Sequence, residues 1–160
     1  MTILDAELTF SEDQDLGQIA GTYLSTNVWD SGPLDAGNAG RDIGSGDPMV
    51  VQIICGETFI GATATLEIQL VTSAAAALTT PSIHWRSGLL AVDTPSHGLT
   101  LGDVIEFAVP IDGGLNPSIL QFWGFLYIIA TATTTAGTLT THICRSSIAN
   151  KAFATGMNIN

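Results

Sequence analysis

The chain has 160 residues, 46% of them hydrophobic and only 12% charged, with 15 acids against four bases and a formal net charge of −11. A globular chain of this length buries roughly 70% of its unfolded surface, so it needs neither metal nor disulfide to build a core. The four bases (Arg41, Arg86, Arg145 and Lys151) are too scattered to form the basic patch that displaces counterions from phosphate, which excludes nucleic acid and an anionic membrane surface as partners.

In chain order, the opening stretch alternates. Leu4, Ala6, Leu8 and Phe10 share one side, and Asp5, Glu7 and Thr9 the other. Such alternation predicts a strand with one face in a core and one face wetter. The same opening has no basic region leading into an apolar run, so it reads as fold and not as a secretory leader. Tyr23–Trp29 and Met49–Cys55 are further strand candidates, separated by a long glycine-rich stretch from Gly32 to Asp47. Loops of that length are usually functional or disordered.

Next come Leu66, Ile68 and Leu70 alternating with Thr65, Glu67 and Gln69. Ala74–Leu78 favours helix but is too short to hold one, and reads as a connection. Ser82–Arg86 and Leu89–Val92 are short strand candidates, followed by Ile105, Phe107 and Val109 in alternation. Phe122–Thr131 is apolar on both faces, which predicts either a central strand buried on both sides or a strand whose outer face meets another chain. Its longest apolar run, ending at Ala130, is far short of the roughly 20 residues a membrane helix requires. Leu139, Thr141 and Ile143 alternate with Thr140, His142 and Cys144.

Gly/Pro punctuation at Gly32-Pro33, Asp47-Pro48, Asp112-Gly113-Gly114 and Asn116-Pro117 separates about eight strands. This predicts an all-β, jelly-roll-like antiparallel β-sandwich. A single domain spans 1–145, with the glycine-rich loop as its long excursion, and 146–160 is a tail or arm.

Enzyme motifs are missing from the sequence: no phosphate loop, no Gly-x-Ser-x-Gly elbow, no His-Glu-x-x-His pair. The expectation is a protein that is not an enzyme and carries no cofactor. His84 reads as lying on the polar face beside Arg86. His142 and Cys144 share a strand face, a two-ligand arrangement short of the four that zinc takes. Asp13, Asp15 and Gly17 faintly suggest a calcium loop, but the spacing fails and a solvated turn is the better reading. Cys55 and Cys144 read as two buried thiols, or as a bridge if their strands pack face to face. Trp29, Trp85 and Trp123 are either core or interface anchors. Trp85 with His84 and Arg86 also allows a carbohydrate- or receptor-binding module.

Ile3-Leu4-Asp5-Ala6-Glu7-Leu8-Thr9-Phe10-Ser11 resembles the opening of the Bbp16-type capsid cement proteins of tailed phages. The likeness continues at Ser25-Thr26-Asn27-Val28, Asp30 and Gly32-Pro33-Leu34. It continues again at Arg41-Asp42-Ile43-Gly44, Gly46, Pro48 and Met49-Val50-Val51, and beyond Thr72 follows strand order. The chain departs from the family in the Gly32–Gly40 loop and beyond Arg145. The resemblance implies a jelly-roll-like fold, self-association as a dimer or trimer, and attachment to the outer face of an HK97-type shell of major capsid protein. On that footing the contact candidates are Leu4, Ala6, Leu8 and Phe10 for strand addition, Arg41, Asp42 and Ile43 in the loop, and Phe153 in the tail. Arg41 either grips a carboxylate on the partner or pairs internally with Asp42 or Asp47.

Overall fold

Among the described residues the alternating segments become ten antiparallel strands in two facing sheets. The computed structural model describes residues 8–32, 49–92, 99–109 and 119–145. One sheet holds β1 (Thr9–Asp15), β4 (Met49–Gly61), β8 (Val104–Ala108) and β10 (Thr134–Arg145), in the order β1-β10-β4-β8. The other holds β2 (Gly21–Leu24), β3 (Trp29–Asp30), β5 (Thr65–Ser73), β6 (Ser82–Arg86), β7 (Leu90–Ala91) and β9 (Phe122–Ala130). Its path is β2-β9-β5-β6, with β3 on β9 and β7 on β5. The pairs β1/β10, β2/β9, β4/β8 and β5/β6 are nested one inside the next. A long antiparallel ribbon wrapped over itself in this way is a jelly roll.

Alternation explains the core. Phe125, Tyr127 and Ile129 of β9, Leu66, Ile68 and Leu70 of β5, and Leu139 and Ile143 of β10 all point between the sheets and are at most 2% exposed. Burying each such side chain stabilises the fold by about 1.5–3 kcal/mol relative to leaving it in water. Phe10 meets Phe125 edge to face, with ring centroids 5.2 Å apart.

Three irregularities shape the sandwich. A register shift between Thr9 and Ser11 turns both Phe10 and Ser11 inward, although they are neighbours in sequence. A second shift, between Ser11 and Gln14, puts Asp13 at φ +44, where its carboxylate accepts from Thr140 Oγ1 and its own N–H donates to the same oxygen. On β10, Gly137 sits at φ +135 under Phe59, and any Cβ there would strike the ring. Bulges of this kind let one strand curve around a bulky neighbour.

The structure departs from the sequence expectations at several boundaries. The described part of the first strand begins at Thr9, and Leu4 and Ala6 lie outside the described residues. Tyr23–Trp29 is two short strands, not one. The break is at Ser25, which is bonded through both backbone and side chain to Phe125 and through its hydroxyl to the carbonyl of Asn27. β4 runs on past Cys55 to Gly61.

Phe122–Ala130 is a central strand, flanked by β2 and β3 on one side and by β5 on the other. Its inner face is buried, and its outer residues Phe122, Leu126 and Ile128 are half-buried. Part of that outer face is covered from within the chain. The Ala74–Leu78 connection turns at Leu78 (φ +50) and lays its side chain over Gly124, where a Cβ would come within 2.5 Å of it. Gly124 is thus the gap that admits Leu78.

Cys55 stands opposite Leu139, and Cys144 opposite Val50. The two sites are five residues apart along β10, about 17 Å at strand spacing, far beyond disulfide reach. Both are free and buried.

Candidate functional site

The two sheets are tied by a polar chain through the core. Tyr127 is fully buried on β9, and its phenol reaches Ser11 Oγ on β1 and Thr141 Oγ1 on β10, each at 2.9 Å. Ser11 also donates to Gln14 Oε1 at 2.6 Å, and a carbonyl oxygen can only accept. The direction of every proton follows. Thr141 donates to Tyr127, Tyr127 to Ser11, and Ser11 to Gln14, whose Nε2 then donates to the Leu24 carbonyl at 2.7 Å. Burial pushes the Tyr127 phenol up to about 12, against the opposing pull of the Ser11 and Thr141 hydrogen bonds. The chain stays neutral, satisfied and fixed, which makes the sandwich a stiff block.

On that block the outer face of the four-stranded sheet is acidic. Asp13 and Asp15 of β1 and Glu57 of β4 are exposed there, and Asp103 is exposed at the rim, in the turn before β8. Thr138 of β10 has Asp15 opposite it on one side and Glu57 on the other. The Asp103 carboxyl is held below its usual range by hydrogen bonds from the Thr100 backbone and then the Thr100 hydroxyl. Among the described residues only Arg86 and Arg145 are basic, and Arg86 lies on the other sheet, 3.6 Å from Glu67. The acidic face therefore complements a basic protein surface and repels an acidic one.

Exposed apolar groups lie close by in the chain: Ile60 at the end of β4, Leu101 in the turn before β8 and Val104 at the start of β8, at 54%, 69% and 51% exposure. Leu101 N–H donates to Thr58 Oγ1 of β4, and Val104 is registered against Ile54. The edge of this sheet thus carries apolar and acidic groups together.

Of the contact candidates from the sequence, Phe10 is 1% exposed and belongs to the chain's own core, on the same side of the alternation as Leu8. Leu8 packs against the same core. Arg41, Asp42, Ile43 and Phe153 lie outside the described residues, as do Leu4 and Ala6. Trp29 and Trp123 are buried and in contact, at 5.8 Å between ring centroids. Trp85 stacks flat on Phe107, 3.9 Å away and 6° from parallel, closing the open side of the sandwich between β6 and β8. One face of the Trp85 ring is thus taken by Phe107, and the side chain is half-buried.

His84 is not on the polar face either. Its Nε2 is 2.7 Å from Thr72 Oγ1, and its ring stacks on the buried Trp123 at 6.2 Å. The register shift between Leu70 and Val71 brings it round. Asp15 accepts from Gly17 N–H in a local turn, and among the described residues no three His, Cys, Asp or Glu groups gather as metal ligands. The acidic face is not legible along the chain, because Asp13 and Asp15 fit a local turn and Glu57 lies about forty residues away. The one available signal was the uneven charge balance.

The family model for Bbp16 matches residues 10–143. The chain belongs to the Bbp16 family. The match takes in all ten strands of the described residues except Thr9 at the start of β1 and Cys144 and Arg145 at the end of β10, and places the protein in a phage-associated family. The stretch Ile3–Thr9 and the tail 146–160 fall outside the matched span. No curated protein matches the chain.

Proposed function

We propose that this Bbp16-family protein is a structural virion component, a cement protein that sits on the outer surface of an HK97-type phage head and bridges adjacent capsomers. The family match over the whole jelly roll carries the reading. The acidic face and the stiff core support it. An acidic block suits a position outside the shell, away from packaged DNA, and adheres to basic protein surfaces by charge complementarity.

A head under DNA pressure fails where capsomers part. A block that touches two capsomers adds contact energy only while both are in place. Several modest contacts linked through one homo-oligomer, dimer or trimer, raise the effective concentration of each, so avidity exceeds the single affinity. The partners are the major capsid protein and a second copy of this chain; no catalysis and no cofactor enter.

Mass spectrometry of purified virions of the encoding phage tests the reading. Recovery at many copies per particle, with heads lacking the protein bursting at lower temperature or on osmotic shock, is the expected result. A few copies per particle indicate a tail component, and absence from intact particles ends the proposal.

A further inference from the structure

His142 lies on the outer face of β10 yet is only 2% exposed. Its Nε2 is 3.1 Å from Gln52 Oε1 on β4, and Gln52 Nε2 donates to Glu106 Oε2 on β8 at 3.4 Å. These three residues share one register row across the sheet. The row fixes the imidazole tautomer. A carboxylate only accepts, so Gln52 must turn its amide nitrogen to Glu106 and its carbonyl to His142. Facing a carbonyl, Nε2 must carry the proton. Nδ1 is then a bare acceptor, buried and without a partner among the described residues.

We propose that His142 makes the four-stranded sheet acid-labile, because a proton taken up at Nδ1 places an unpaired positive charge beneath its outer face. The described surroundings offer that charge little. From β1 the register partner is Thr9, from β4 it is the neutral Gln52, and along β10 the same face carries Thr140 and the Cys144 thiol. Burial pushes that thiol up, and the Glu106 charge adds to the effect, so it stays protonated. Glu106 is the one carboxylate on the row, and Gln52 stands between it and the ring. Burial alone holds His142 below its ordinary value of 6.5. An unfolded chain takes the proton near pH 6.5 while the folded chain refuses it, so stability falls as pH drops through that value and levels off below the folded pKa.

The rest of the molecule pulls the other way. At a net charge of −11 and a sequence pI near 4.1, mild acid relieves self-repulsion and favours the compact state. The contribution of His142 therefore has the opposite sign to the background and is separable from it.

The test is urea unfolding of the full chain between pH 5 and 8, for the wild type and for His142→Gln, which keeps an N–H for Gln52 but cannot titrate. The unfolding constant of the wild type should rise relative to the variant by up to about tenfold per pH unit just below pH 6.5, the limit for one proton. Parallel pH profiles overturn the proposal. Long-range 1H–15N spectra of the native wild type provide a second, independent reading even if the variant fails to fold. The expected pattern is an Nε2–H imidazole that titrates below 6.5. An Nδ1–H tautomer, or a midpoint at or above 6.5, overturns it.

Discussion

Replacing Tyr127 with Phe removes one oxygen from the centre of the sandwich and leaves the ring packing in place. Two partners are affected unequally. The Thr141 hydroxyl is 0% exposed, and Tyr127 is its one hydrogen-bond partner among the described residues, so it becomes an orphaned donor. Such a loss costs about 1–3 kcal/mol. Ser11 keeps its bond to Gln14 and loses only the bond it accepts, worth about 0.5–1.5 kcal/mol. Together Tyr127→Phe should destabilise by about 2–4 kcal/mol, or roughly 5–15 °C in Tm for a chain of this size.

Urea denaturation read by tryptophan fluorescence measures the change directly. Adding Thr141→Val to Tyr127→Phe removes the orphaned donor and should recover about 1 kcal/mol or more. Valine on its own strips Tyr127 of an accepted bond and should destabilise. A Tyr127→Phe protein within about 0.5 kcal/mol of wild type, or a double variant worse than the sum of the two singles, refutes the reasoning.

Other consequences are equally open to measurement. Because the folded phenol of Tyr127 titrates near 12 against 10 for the free group, stability is whole below pH 10 and declines as pH rises from 10 to 12. The loss amounts to about 2–3 kcal/mol on top of any decline from the two buried thiols, which burial also raises, and Tyr127→Phe should lack this part of the decline in denaturation at pH 9–12. Gly137→Ala combines a disfavoured φ with a clash against Phe59, and should cost about 2–5 kcal/mol, seen as a lowered Tm or loss of soluble protein. Burial raises both thiols, so Cys55 and Cys144 should ignore a thiol-specific dye at pH 8 until urea unfolds the chain. Mass should then be identical with and without reductant, since their positions on β4 and β10 forbid a bridge.

The fold class was legible in the sequence because period-two patterning is a local property. Leu66, Ile68 and Leu70, and likewise Leu139, Thr141 and Ile143, had only one way to bury their apolar side. The same pattern was blind wherever two strands slip against each other. Nothing local says that Phe10 and Ser11 both face inward, that His84 turns in to lie on Trp123, or that Trp85 spends its face on Phe107. Those placements depend on bulges, which are settled by the partner strand.

The acidic face and the buried row His142–Gln52–Glu106 are of the same kind. Charge imbalance and a His-x-Cys pair can be read along the chain, but Asp15, Thr138 and Glu57, or residues 52, 106 and 142, become neighbours only when the ribbon wraps over itself. The sequence by itself determined which residues alternate and therefore that two sheets must face each other. The tertiary structure alone decided register, because hydrogen bonds between strands far apart in the chain join backbone groups that are the same at every residue, so the side chains packed around each bulge choose among the possible slips.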